Sequence, residues 1–146
     1  MTSAAVGLAV LAGLAGSIQV AVMGRFGSRI GVVEALAFAT CIQLLLSATL
    51  LLVTRGGFGG ISGALRAPSW MWSGGLMGLI VVLAITFAQP RIGATATIGI
   101  LIAGQLGMGA VIDRFGLFGV EQIAISWPRA LGIVLLGAGA ALSLAK

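Results

Sequence analysis

The sequence predicts an all-α membrane protein of about five transmembrane helices, and three observations carry that reading. Of 146 residues, 60 % are hydrophobic and only 8 % charged, where a soluble domain carries roughly 25 % charged residues. The mean hydropathy is +1.21, too apolar for a disordered chain. The apolar residues also run without interruption, rich in Leu and Ala, instead of alternating with polar ones as the strands of a membrane barrel do.

A hydrocarbon core of roughly 30 Å takes about 20 residues at 1.5 Å rise each. Runs free of Asp, Glu, Lys and Arg occupy residues 1–24, 35–54, 67–90, 92–112 and 130–145. They place helices at approximately 3–24, 35–54, 69–89, 92–112 and 128–145, in a single transmembrane domain spanning 1–146. The first run lacks the basic residues that precede the apolar part of a secretory signal; Arg25 and Arg29 follow it instead, so it is expected to stay as a helix. For the fifth, Trp127 suits the interface, Pro128 a first helical turn, and Arg129 can snorkel.

Helix one sets Ala5, Ala9, Ala12, Gly16 and Gln19 on one face. Small residues let helices approach closely in lipid, so this face should meet another helix with Gln19 inside the protein. Helix two carries Thr40, Gln43, Ser47 and Thr54 in one row. Gln43 lies near mid-span, where an unpartnered amide is costly, so the stripe should face protein or water. Glu34 points away from Gln43 and suits the start of that helix.

Helix three opens with Trp70 and Trp72, which fit an interfacial belt, and Trp72 could serve as an aromatic wall for an organic cation. Its Gly74 and Gly78 form a close-packing GxxxG pair. Helix four has a small-residue seam of Ala96, Gly99, Ala103, Gly107 and Ala110, while Gln105 projects towards a different surface. Asp113 and Arg114 are expected to anchor its end. The stretch 55–66 reads as a glycine-rich connector without the Lys-Ser/Thr ending of a P-loop, and 115–127 as an interfacial or re-entrant segment.

Several chemistries drop out. There is no histidine, one cysteine (Cys41) and only three acids, so no metal site, no intrachain disulfide and no catalytic constellation are expected, and no cofactor is implied. The formal net charge of +5 comes from basic residues scattered singly near helix ends, which suits lipid headgroups and not nucleic acid. With five spans, Arg55, Arg66, Arg114 and Arg129 fall on one side and Arg25, Arg29, Arg91 and Lys146 on the other. That four-to-four balance prefers no orientation. It predicts insertion both ways and pairing as an antiparallel dimer, either a homodimer or a paired heterodimer.

The order of landmarks is Gln19 and Gly24-Arg25-Phe26-Gly27, then Pro90-Arg91-Ile92-Gly93, Ala103-Gly104-Gln105, and Ile112-Asp113-Arg114-Phe115-Gly116. In this the chain resembles the YdcZ-type family of small bacterial inner-membrane proteins in the drug/metabolite transporter superfamily. The resemblance implies a multi-pass inner-membrane protein of exporter type, related to small multidrug transporters that work as antiparallel dimers. Those relatives carry protons on a glutamate in helix one; this chain has no acid there, leaving Glu34 and Asp113 as candidates for ion coupling. The expected function is transport of a small molecule past Gln19, Thr40, Gln43, Ser47, Trp72 and Gln105. A dual-topology ion channel and a non-transporting subunit of a membrane complex are the alternatives.

Overall fold

The computed structural model describes residues 2–144, which are helical except in short connections and include no strand; helix accounts for 87 %. The elements are α1 (Thr2–Ile30), α2 (Val32–Arg55), α3 (Ile61–Arg66), α4 (Ser73–Ile92, preceded by a 3-10 turn at Ser69–Trp72), α5 (Ala94–Phe115) and α6 (Trp127–Leu142). A further 3-10 turn covers Leu117–Gly119. Four segments are long and apolar enough to cross a membrane: Ser3–Ile30, Val32–Arg55, Ser69–Ile92 and Ala94–Phe115. The fifth expected span is helical but has only 16 residues, about 24 Å long against a core of about 30 Å. Residue 145, where that span was expected to end, lies outside the described residues.

Four helices, α1, α2, α4 and α5, end at a positive-φ glycine. α1 runs to Ile30, past Arg25 and Arg29, and stops at Gly31, whose φ is 108°. α4 likewise continues through Pro90 to Ile92 and stops at Gly93, with φ 84°. Side chains avoid these conformations and glycine does not. At each junction the glycine's own backbone groups are paired. The amide of Gly31 donates to Gly27 O and its carbonyl accepts from Ala35, and the amide of Gly93 donates to Gln89 O while its carbonyl accepts from Thr97. The expected glycine-rich connector contains α3, so it is more ordered than its composition suggests.

The chain divides into two compact units, residues 22–87 and the stretches on either side of them. In the 22–87 unit, Met23, Ala35, Leu36, Ile85 and Thr86 are buried. Here α1 and α4 approach so closely that a Cβ on Gly27 would lie 2.5 Å from Thr86 Cγ2. Phe26 meets Phe38 edge to face at 5.8 Å between centroids, an arrangement worth about 0.5–1.5 kcal/mol beyond its area.

In the other unit α5 packs on α6. Ala96, Ala110 and Ala140 are buried, and a Cβ on Gly99 would stand 3.3 Å from Ala140 Cα and Cβ. The α5 terminus is held by Gly116 in the left-handed region, whose amide donates to Ile112 O. The following strap folds back: Ile123 N–H donates to Asp113 O at 2.8 Å and Gln122 Nε2 to Phe115 O at 3.3 Å.

Candidate functional site

The polar stripe of α2 separates into two kinds of side chain. The hydroxyls of Thr40, Ser47 and Thr54 donate to their own helix, at Leu36 O, Leu44 O and Leu50 O, over 2.7–3.0 Å. Such back-bonding hides a hydroxyl from an apolar surrounding. The amide of Gln43 has no comparable outlet, because its side chain forms no hydrogen bond among the described residues, and it is exposed.

Gln105 on α5 is in the same condition, exposed and with no side-chain hydrogen bond among the described residues. The two glutamines also occupy one register. Each stands twelve residues after a positive-φ glycine, Gly31 or Gly93, and each of those glycines closes an Arg-Ile-Gly tripeptide. Comparing the sequence with itself at the offset that carries residue 31 onto residue 93 reveals the correspondence, which a helix-by-helix reading passes over.

Gln19 is half-buried on α1, beside buried Val20, and its side chain likewise has no hydrogen bond among the described residues. Gly16, on the same face, is half-buried with nothing within 4 Å of a Cβ built on it. Trp72 is tied down: its indole Nε1 donates to Ala64 O of α3 at 3.0 Å, linking the start of α4 to the connector. Gly74 and Gly78 are exposed with open space where a Cβ would be. Of the α5 seam, Gly99 faces Ala140, while Ala103 and Gly107 are half-buried and Gly107 has open space at its Cβ position.

The two acids considered for ion coupling have different surroundings. Glu34 sits in the first turn of α2 with its carboxylate folded back against Gly31, a position favoured by the partial positive charge of a helix N-terminus. Asp113 is joined to Arg129 of α6 by a hydrogen-bonded ion pair, not to the neighbouring Arg114. Among the described residues no group of His, Cys, Asp and Glu is placed to hold a metal ion.

Four apolar helices of spanning length define a multi-pass α-helical membrane protein. Within that class the chain belongs to the YdcZ family: the family model described as "Putative inner membrane exporter, YdcZ" matches residues 4–142. No curated protein and no solved structure matches the chain.

Proposed function

We propose that this member of an inner-membrane exporter family is a small-molecule carrier, not an enzyme, that works by alternating access as an antiparallel pair of chains. The supporting observation is the pair of unpartnered span amides. The side chains of Gln43 and Gln105 make no hydrogen bond among the described residues, and an amide left bare in hydrocarbon costs several kcal/mol. Each must therefore meet water, a solute or a second chain. The neighbouring hydroxyls, satisfied by their own helix, impose no such demand. In this reading Gln43 and Gln105 supply neutral polar contacts to the transported molecule, with Gln19 next in rank. The antiparallel pairing rests on the even split of basic residues that the chain has when α6 also crosses as a fifth span.

Transport by purified protein in proteoliposomes tests the reading, using a panel of metabolites and cationic drugs with and without a pH gradient. Saturable flux is expected, and the Gln43→Leu, Gln105→Leu double variant should lose it while remaining folded. Unchanged flux in that variant removes the assigned contacts. Ion currents far faster than carrier turnover would replace the carrier with a channel.

A further inference from the structure

The connector between α2 and α4 holds a cavity of about 650 Å³ lined by Leu51, Arg55, Ile61, Ala64 and four glycines, Gly56, Gly57, Gly59 and Gly60. Its chemistry is one-sided. Arg55 forms no salt bridge among the described residues, and none of the lining residues is acidic. Among the described residues the amides of Gly57, Gly59 and Gly60 have no acceptor, while the carbonyls of Gly59 and Gly60 are taken up by Ser62 and Gly63. A cavity that offers a guanidinium and free N–H groups, with no acidic side chain in its lining, selects an anion with several acceptor oxygens.

Its place in the chain narrows the occupant. Arg55 ends a span-length helix and Ser69 begins the next, so the cavity stands at a membrane boundary. Trp70 and Trp72 are exposed at the start of that next span, and the Trp72 indole is bonded to Ala64, one of the lining residues. Exposed tryptophans next to arginine are the side chains that settle at headgroup depth. Leu51 and Ile61 give the cavity an apolar wall, which a lipid can use and a free ion cannot. We infer that this cavity binds the phosphate-bearing headgroup of an anionic phospholipid, held by Arg55 and the loop amides.

Native mass spectrometry of the full-length protein in neutral detergent tests this by titration with phosphatidylglycerol, phosphatidylcholine or inorganic phosphate. One phosphatidylglycerol per chain should bind saturably, with phosphatidylcholine at least about tenfold weaker and inorganic phosphate failing to displace it at matched concentration. Arg55→Gln should weaken phosphatidylglycerol by about tenfold, the scale of one charge-assisted contact, while Arg66→Gln, outside the cavity, changes it less than about twofold. Gly59→Asp puts a carboxylate into the cradle with Arg55 intact. Nothing lies within 4 Å of its Cβ position, so it should stay folded by circular dichroism and bind as poorly. Equal binding of the two lipids, equal losses at Arg55 and Arg66, or displacement by inorganic phosphate would each overturn the inference.

Discussion

Arg129, in the first turn of α6, is hydrogen-bonded and ion-paired to Asp113, in the last turn of α5, with side chains 37 % and 20 % exposed. Each charge stands at the helix end whose dipole disfavours it: an anion near the C-terminus of α5 and a cation near the N-terminus of α6. Their attraction offsets that penalty and closes the α5–α6 corner, across which Ile123 is also bonded to the Asp113 carbonyl.

Asp113→Asn and Arg129→Gln should each lower the thermal unfolding midpoint in detergent, and the double variant should lose less than the sum. The coupling should be about 0.5–1 kcal/mol, the range for a partly exposed pair. Exchanging the charges, Asp113→Arg with Arg129→Asp, puts each on its favoured helix end, so that variant should be at least as stable as the parent. An exchanged variant weaker than both single changes would refute the dipole argument.

At the α1–α4 contact, Gly27→Ala brings its new methyl against Thr86 Cγ2, 2.5 Å from the Cβ position. Thr86 is fully buried, so the neighbour cannot move into solvent, and the substitution should cost about 1–3 kcal/mol. Thr86→Ser removes the offending methyl and keeps the hydroxyl that donates to Val82 O. Stability recovered in the double variant, read by thermal unfolding, verifies the contact; no recovery excludes it.

Gly31 and Gly93 hold φ at 108° and 84°, values that cost a side-chain-bearing residue on the order of 1–3 kcal/mol. Alanine at either should therefore destabilise the protein. Gly74→Ala, on an exposed helical site with open space, should be neutral or gain up to about 1 kcal/mol of helix propensity. Matching unfolding midpoints for all three variants would contradict the junction geometry.

The α2 stripe gives a contrast within one helix. Ser47→Ala removes a hydroxyl that bonds only to its own turn, so transport in proteoliposomes should stay within about twofold. Gln43→Leu removes an amide with no intrachain partner and should lower transport by about tenfold or more, the scale of a lost polar contact. Equal effects at both positions would remove the distinction between them.

Much of the fold is legible in the residue order because hydrophobic length is a local property. The uncharged runs place α1, α2, α4 and α5, since a bilayer asks only for sufficient apolar length. Their ends are less legible. Arg25, Arg29 and Arg91 look like boundaries, yet the helices pass through them and halt at Gly31 and Gly93, because a charge at a helix end can reach water while a positive φ cannot be helical. The polar candidates are also readable one by one, but their condition is not. Whether an amide is satisfied depends on what surrounds it, and periodicity reports only the face on which it lies.

The sequence by itself determined that this is a multi-pass helical membrane protein of the YdcZ family, because composition and run length act residue by residue and the family's landmarks lie in linear order. Only the tertiary structure decided which small residues touch and which charges pair. The GxxxG glycines Gly74 and Gly78 are exposed while Gly27 makes the close approach to Thr86, and Asp113 reaches past adjacent Arg114 to Arg129. Adjacent residues on a helix point about 100° apart. The partner of a side chain is therefore chosen by which faces meet in space, a choice absent from the order of residues along the chain.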